Sequence, residues 1–221
     1  MVANRSYDCL VIGAGPAGST AACIVAEQGF STLLLERDQF PREHVGESLM
    51  PEAFWIFERL GLTHEMDKIG FQKKHGVQFV SASDKETKPF IFSEHDDRES
   101  NMSWHVKRAE FDKMLYDAAF QRGATCVDNT RVLDIELKPK SPHIVTFLDE
   151  KGKERELSAK VIVDASGQSA MIANRNDLKE VYSDLKKAAI WGYFDNAQRA
   201  GGGNPEVTCI LHTESKDAWF W

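Results

Sequence analysis

The sequence predicts an α/β fold that opens with a strand–helix–strand unit, and three observations near the start of the chain support this prediction. A run of strand-forming residues, Tyr7–Ile12, ends at Gly13. Apolar residues then recur at helical spacing over Pro16–Gln28, and a second apolar run, Ser31–Glu36, follows Gly29. Because such crossovers are right-handed, the two strands are expected to lie parallel in one sheet.

The later elements are predicted from the same periodicities. Helical spacing predicts helices at 51–60 and 108–120. Turn residues at 149–152 predict a hairpin, and the glycine-rich run 201–205 predicts a loop. Strand patterns are present at 76–82, 89–93, 102–106, 131–137, 143–148, 154–157, 160–164, 188–194, 206–211 and 218–221.

The composition narrows the function classes. The 221 residues are 42% hydrophobic and 28% charged, which is typical of a folded globular protein. A net charge of −7 argues against a nucleic-acid partner, because phosphate backbones require a basic face. No apolar stretch approaches the roughly 20 residues that cross a bilayer, and the N-terminal apolar run is too short for a secretory signal. We therefore expect no membrane span.

The cysteines indicate the redox environment. Cys9, Cys23, Cys126 and Cys209 are scattered along the chain without CxxC spacing. This pattern favours reduced structural thiols over disulfides or a metal site. It predicts a cytoplasmic protein without a metal centre.

The turn after the first strand carries a G-x-G-x-x-G motif, and it lies between a strand and a helix as this motif requires. Its first glycine allows a tight turn, its second lets backbone approach a pyrophosphate, and its third lets the helix pack closely on the strand. The motif predicts a Rossmann-like dinucleotide site, although glycines selected only for packing are the alternative. The predicted phosphate-binding residues are Gly13, Ala14, Gly15, Pro16, Ala17 and Gly18.

Glu36 bears on which nucleotide is bound. It lies 23 residues after Gly13, at the end of the second predicted strand, where its carboxylate can accept hydrogen bonds from ribose hydroxyls. A carboxylate at this position repels a 2′-phosphate, so NADP is disfavoured. From these residues alone, NAD and FAD both remain open.

Four further segments resemble the sequence of one enzyme family. They are LLLERDQFPR at 33–42, HVGESLMP at 44–51, VKRAEFDKML at 106–115 and VDASG at 163–167. Together with the glycine motif, they resemble the FAD-dependent monooxygenases of the aromatic hydroxylase type, and more closely their flavin-dependent halogenase-like branch. The resemblance runs across nearly the whole chain and favours FAD over NAD as the cofactor.

The resemblance also implies further cofactor-binding residues. These are Arg37 beside Glu36, the segment Gly46, Glu47 and Ser48, Arg108, the backbone at Val132 near the adenine, and Asp164. Three of these residues also have a simpler explanation. Glu47 can cap the helix that begins near Pro51, Arg108 can be a solvated first-turn arginine, and Asp164 can cap the turn after its strand.

Lys74 is the candidate catalytic residue. The segment GFQKKHG at 70–76 resembles the family's G-F-x-x-K-x-G pattern, in which the lysine lies in the active site. The resemblance implies that reduced flavin and oxygen convert halide to hypohalous acid, and that a buried lysine then holds or carries the electrophilic halogen. Either use requires a desolvated Lys74. A surface lysine beside Lys73 is the alternative.

The resemblance further suggests a domain plan. An FAD-binding domain is expected at 1–75 and 104–175, and an interleaved, incomplete antiparallel substrate-domain sheet at 76–103 and 176–221. Trp219–Trp221 resembles the start of the family's W-x-W-x-I-P signature, and no counterpart of its later Gly-Asp segment follows. We therefore expect an N-terminal piece of a longer enzyme.

The predicted function is that of an FAD-binding halogenase or monooxygenase acting on an apolar or aromatic small molecule. No second G-x-G-x-x-G motif is present for a nicotinamide cofactor, so a halogenase would need a separate flavin reductase as its partner. Two alternatives remain. One is a flavoprotein reductase similar to the geranylgeranyl reductases, and the other is a non-catalytic FAD-binding remnant.

Overall fold

We analysed a computed structural model that describes residues 5–140, 142–196 and 206–221. The loop predicted at 201–205 lies outside these residues. The chain divides into two compact units, one comprising Met1–His44 and Arg108–Ala188 and the other Val45–Lys107 and Ala189–Trp221. No helix in the described part of the chain is long and apolar enough to cross a lipid bilayer.

The helices and strands are numbered in chain order. The helices are α1 Pro16–Glu27, α2 Phe54–Arg59, α3 Thr63–Ile69, α4 Arg108–Gln121 and α5 Met171–Arg175. The strands are β1 Ser6–Ile12, β2 Thr32–Leu35, β3 Gln72–Lys74, β4 Gly76–Val80, β5 Phe90–Ile91, β6 Ser103–His105, β7 Thr125–Val127, β8 Arg131–Glu136, β9 His143–Leu148, β10 Glu154–Asp164, β11 Val207–His212 and β12 Trp219–Phe220.

The first unit is built on a six-stranded sheet with the order β7-β2-β1-β10-β9-β8. The first four of these strands are parallel, and β9 and β8 continue the sheet antiparallel. Leu10, Leu33, Val145 and Phe147 form the centre of a hydrophobic cluster on this sheet. The predicted α/β fold with a parallel βαβ start is therefore confirmed.

The second unit contains two smaller sheets. One has the order β12-β11-β4-β5, in which β11 runs parallel to β4 while the outer pairs are antiparallel. The other joins β3 and β6 as an antiparallel pair. Trp104 of β6 is fully buried, and Phe54 stacks in parallel with it at a ring-centroid distance of 6.1 Å.

The predicted strands differ from the structure in two regions of the chain. The range 188–194 has no regular secondary structure, and Ile190 within it is fully exposed, so that strand prediction was wrong. Its aromatic residues are typical of strands, but a strand also needs a partner for its backbone groups. The ranges 154–157 and 160–164 form one strand, since Ser158 and Ala159 pair with β9 on one side and β1 on the other.

Candidate functional site

Two of the three motif glycines are required by packing. Gly13 has a φ of +95°, and a Cβ there would lie 2.5 Å from the Ala165 carbonyl oxygen. A Cβ on Gly18 would lie 1.8 Å from the Gly13 carbonyl oxygen. These distances are far below van der Waals contact, so β1, the turn and α1 pack together only with glycine at both positions.

Gly15 differs from both of them, because its backbone conformation and surroundings would accept a side chain. Its φ is −73°, and a Cβ would approach nothing closer than the Arg42 Nη2 atom at 4.0 Å. Gly15 is the N-cap of α1, Pro16 occupies the first turn, and no side chain caps the helix. The open space faces unsatisfied N–H groups and a positive helix end, which fits the pyrophosphate of a dinucleotide.

Glu36 is fixed against this turn. Its side chain is buried, and Oε2 accepts the Ala14 N–H at 2.8 Å and Arg42 Nη2 at 3.1 Å. The other oxygen, Oε1, accepts the Asp38 N–H at 3.1 Å. A carboxylate oxygen can accept two hydrogen bonds, so Oε1 can still accept one from a ribose hydroxyl.

Arg37 lies apart from this group. Its side chain is 61% exposed and pairs weakly with Asp38 at 3.5 Å. The structure therefore brings Glu36 to the glycine turn but leaves the neighbouring arginine at the surface.

Arg42 and Asp112 belong to the site although the sequence did not predict them. Arg42 donates to Asp112 Oδ2 at 2.8 Å through Nη1 and to Glu36 through Nη2. Burial opposes the positive charge of Arg42, but the two carboxylates outweigh it and raise the pKa of its guanidinium. The Arg42 Nε atom is buried without a hydrogen-bond partner among the described residues.

Arg108 is held by the same carboxylate. Its Nε and Nη2 atoms donate to the two oxygens of Asp112 at 2.7 and 2.9 Å, within α4. Arg108 is 7% exposed and Asp112 is fully buried, so Arg108 is not the solvated first-turn arginine of the simpler explanation. Asp112 thus joins the buried Arg108 to Arg42, whose side chain is 12% exposed.

Asp164 caps the turn that follows β10. Its Oδ1 accepts the Ser166 N–H at 3.1 Å, and its Oδ2 accepts the Ile172 N–H at 2.7 Å at the start of α5. These bonds match the simpler explanation given above, that Asp164 fixes its own turn.

Val132 lies in β8, opposite Phe147 and next to an irregularity in the strand register. Thr130, two residues earlier, donates its N–H to the Glu36 carbonyl oxygen at 2.8 Å. The segment that leads into β8 therefore passes beside Glu36. The resemblance expects the adenine near the Val132 backbone in this strand.

The Gly46–Ser48 segment lies in the second unit. The N–H of Gly46 donates to Glu47 Oε2 at 3.1 Å, and the Glu47 carbonyl accepts the Val106 N–H at 2.8 Å. Ser48 forms an antiparallel bridge with His105, which extends the β3–β6 pair. No side chain caps the helical turn at Pro51, so Glu47 does not act as its cap.

Lys74 is buried in the same unit. It is 2% exposed, and its Nζ donates to Ser48 Oγ at 3.0 Å and to the Leu49 carbonyl oxygen at 3.3 Å. Nζ also lies 5.7 Å from the centroid of the Phe92 ring. Burial lowers the pKa of its amine. No carboxylate of the described residues forms an ion pair with it.

The neighbouring lysine, Lys73, differs from Lys74 in its exposure to solvent. Lys73 has a side chain that is 44% exposed, and it pairs with Asp67 at 3.3 Å. Two adjacent lysines in one short strand thus lie in different environments, Lys73 exposed and Lys74 buried. The desolvation that the proposed role of Lys74 requires is present.

The chain matches proteins of known family across most of its length. The family model described as "FAD binding domain" matches residues 6–216. The flavin-dependent halogenase armH3 of Armillaria mellea is 32% identical over 223 residues, covering 97% of this chain and 44% of the relative. The 1H-pyrrole-2-carbonyl-(peptidyl-carrier protein) chlorinase of Pseudomonas fluorescens is 32% identical over 241 residues, covering 100% of this chain and 53% of the relative.

Solved structures of flavoproteins, a halogenase among them, also match most of this chain. The myxobacterial chondrochloren halogenase CndH matches with a TM-score of 0.69 and 37% identity, covering 75% of this chain and 38% of that one. A flavoprotein/dehydrogenase from Cytophaga hutchinsonii matches with a TM-score of 0.71 and 36% identity, covering 76% and 41%. This chain spans about half the length of the curated relatives it matches. The family match confirms FAD as the predicted cofactor, and this chain belongs to the FAD binding domain family.

Proposed function

We propose that this protein is an FAD-dependent oxidoreductase that uses reduced flavin and oxygen to halogenate an apolar or aromatic small molecule. The observation that carries the proposal is Lys74, a buried amine that the part of the chain described by the structure leaves without a carboxylate partner. Burying a lysine without a counterion is unfavourable, so such residues are typically retained for chemistry.

The cofactor would be held mainly by the first unit. The open space at Gly15 and the N-terminus of α1 fit the pyrophosphate, and Glu36 fits a ribose hydroxyl. Arg42 adds a buried positive charge beside Gly15. The resemblance alone supports cofactor contacts for Arg37, the Gly46–Ser48 segment, Arg108, Val132 and Asp164.

Reduced FAD, when bound, would supply two of the four electrons that reduce oxygen, and the halide ion would supply the other two, so that the products would be hypohalous acid and water. The neutral Lys74 amine is then the nucleophile. Its lone pair forms a bond to the halogen, the bond between halogen and oxygen breaks, and the released hydroxide takes a proton from the nitrogen to give water. When an aromatic carbon takes the halogen, the bond between nitrogen and halogen breaks, the nitrogen keeps the electron pair, and it takes up the proton that the ring loses.

A protonated Lys74 would serve differently, by donating a hydrogen bond to hypohalous acid while the substrate attacks the halogen directly. Burial of the amine favours the neutral form and therefore the covalent route. Hydroxylation, or a reduction similar to that of geranylgeranyl reductases, would leave the buried amine without a chemical role.

The partners follow from this chemistry. A carrier-protein-bound pyrrole is the substrate named for one relative, which supports a small aromatic substrate here. A separate flavin reductase would deliver the reduced flavin. The four free cysteines support a cytoplasmic location. We also propose that 1–75 and 104–175 serve as the FAD-binding domain and that 76–103 and 176–221 contribute to the substrate domain.

The decisive experiment compares Lys74→Ala with Lys73→Ala. The purified chain is supplied with reduced FAD, oxygen and bromide, and with phenols and pyrroles as acceptors. Mass spectrometry then detects the bromine isotope pattern in the products. We expect bromination to be lost in Lys74→Ala and kept in Lys73→Ala, with FAD binding equal in both. Bromination that persists in a folded Lys74→Ala variant would refute the assignment, and so would wild-type protein that binds FAD but brominates none of the acceptors.

A further inference from the structure

Three short segments bring a group of polar side chains to one face in the second unit. In the register of β3 and β6, Lys74 lies opposite Ser103, and the bridge next to it places Ser48 opposite His105. Residues two apart on a strand share a face, so all four side chains lie on the same side of the three segments. Lys74 crosses this face to reach Ser48.

The number of oxygen acceptors around the Lys74 Nζ atom equals the number of N–H groups of a neutral amine. A neutral amine has two N–H groups and one lone pair, whereas an ammonium has three N–H groups. The described residues provide two oxygen acceptors, Ser48 Oγ at 3.0 Å and the Leu49 carbonyl at 3.3 Å, and the Phe92 ring centroid lies 5.7 Å from Nζ. Both N–H groups of a neutral amine are therefore satisfied, and its lone pair takes the remaining direction.

We propose that Ser48 is the positioning residue of Lys74, which together with the Leu49 carbonyl binds both N–H groups of the neutral amine and fixes the direction of its lone pair. This inference rests on the proposed function, in which that lone pair accepts the halogen. Ser48 does not itself touch the halogen. It acts through Lys74.

The backbone that carries both acceptors is firmly placed. Leu49 donates its N–H to the Trp104 carbonyl at 3.0 Å, and Val106 donates its N–H to Glu47. Trp104 is buried between Phe54 and Phe57. The two acceptors therefore hold fixed positions relative to β6, as a directed lone pair requires.

The charged and titratable groups on the surrounding segments are engaged with other partners. Burial is the cause of the lowered pKa of Lys74, and no neighbouring charge contributes to it. The neighbouring pairs are Lys73 with Asp67, His75 with Glu206, His105 with Thr208, and Glu47 with the Gly46 N–H. A change in the Lys74 titration on mutation of Ser48 would therefore report the lost hydroxyl.

Ser103 provides a matched control. It is buried, shares the face with Lys74, and its hydroxyl has no hydrogen-bond partner among the described residues. Ser48→Ala and Ser103→Ala each remove one buried hydroxyl from this face, but only the first removes a partner of Nζ.

The test is a pH titration of the whole chain labelled with ε-13C-lysine, followed by NMR. The Lys74 signal is assigned by its loss in Lys74→Met, and Lys73 serves as the internal reference for an exposed lysine. A hydroxyl acceptor stabilises the ammonium more than the amine. We therefore expect the Lys74 midpoint to fall by about one pH unit in Ser48→Ala. Ser48→Thr should restore it, and Ser103→Ala should leave it unchanged.

The outcomes separate the two proposals. A wild-type Lys74 midpoint equal to that of Lys73 would overturn the covalent route of the proposed function, because the amine would then be charged. A low wild-type midpoint that stays unchanged in Ser48→Ala would overturn the role of Ser48 alone. If Ser48→Ala unfolds, Ser48→Cys keeps the size of the side chain with a weak acceptor and should give the same fall. An unchanged midpoint in Ser48→Cys would equally overturn it.

Discussion

The carboxylate of Glu36 accepts a hydrogen bond from the backbone N–H of Ala14 at 2.8 Å, so the end of β2 is tied directly into the glycine turn after β1. The same carboxylate binds Arg42. One buried acid thus fixes the glycine turn and anchors a cation beside it, and its Oε1 atom can still accept a further hydrogen bond.

Replacing Glu36 should weaken FAD binding. In Glu36→Ala the ribose acceptor and the anchor of the turn are both removed, and a charge-assisted hydrogen bond contributes about 1.5–3 kcal/mol. We expect the dissociation constant for FAD to rise by roughly tenfold to a hundredfold. Quenching of flavin fluorescence on titration measures it. Glu154→Ala, on an exposed carboxylate of β10, is the control, and an unchanged constant in folded Glu36→Ala would contradict the role of Glu36.

Alanine at Gly18 should lower the stability of the fold, whereas alanine at Gly15 should lower the affinity for FAD. At Gly18 the new Cβ would lie 1.8 Å from backbone, so Gly18→Ala should lower the free energy of unfolding by about 3 kcal/mol. At Gly15 the nearest atom is 4.0 Å away, so the fold should tolerate alanine while FAD loses space. Denaturant titration and FAD titration measure the two effects. Equal FAD affinity for wild type and Gly15→Ala would show that the space at Gly15 is not the pyrophosphate site.

Removing Asp112 should be strongly destabilising. Asp112→Ala leaves both Arg42 and Arg108 without their shared carboxylate, and breaking a buried pair costs about 3–5 kcal/mol. The matched control lies on the same helix. Asp117 forms an exposed i,i+4 pair with Lys113, so Asp117→Ala should cost about 0.5 kcal/mol or less. Urea unfolding of the two variants measures the difference, and equal losses would mean that the arginines do not depend on Asp112.

Lys74 should limit the stability of the wild-type protein. Its pKa is lowered by burial from the model-compound value of 10.5, so the unfolded state binds the proton more tightly than the folded state. Stability then rises with pH between the folded value and 10.5. Lys74→Met removes this dependence, so it should be the more stable protein at neutral pH, and its advantage should shrink as the pH increases. Unfolding measured over a pH series checks this, and parallel curves would contradict it.

Asp8 should titrate at unusually low pH. Hydrogen bonds from Lys160 and Ser31 lower the pKa of its carboxyl from 3.8 to about 2. Because this pKa is depressed in the folded state, the stabilisation is complete above the unfolded value and is lost as the pH falls towards the folded one. Lys160→Met should raise the Asp8 midpoint, as measured by carboxyl 13C NMR. An unchanged midpoint would mean that the 2.7 Å contact is absent in solution.

The elements that are predicted correctly from the sequence are those in which apolar residues recur with a regular local spacing. β1, α1 and β2 lie within two residues of their predicted bounds, because apolar spacing and the glycine turn specify them locally. β3 was missed because Gln72, Lys73 and Lys74 have no apolar alternation. Its pairing with β6 supplies the stability that its composition does not indicate.

The candidate site was predictable only where a motif is local. The positions of Gly13, Gly15, Gly18 and Glu36 follow from their spacing around one turn. Arg42 and Asp112 were missed because 70 residues separate them, and nothing in the sequence around either one indicates the contact. Lys74 was identified by the resemblance, but its burial depends on tertiary packing that the spacing of residues does not encode.

The pairing of β10 with β1 has a consequence for synthesis of the chain. Ser6 at the start of β1 pairs with Ser158 of β10, and Gly13 packs against Ala165 just beyond it. A ribosome adding about 5–20 residues per second needs roughly ten to thirty seconds between these partners. The glycine turn after β1 thus gains its packing against Ala165 only once β10 has been synthesised. During that interval the backbone N–H and C=O groups of β1 that pair with β10 in the folded chain lack their partner strand.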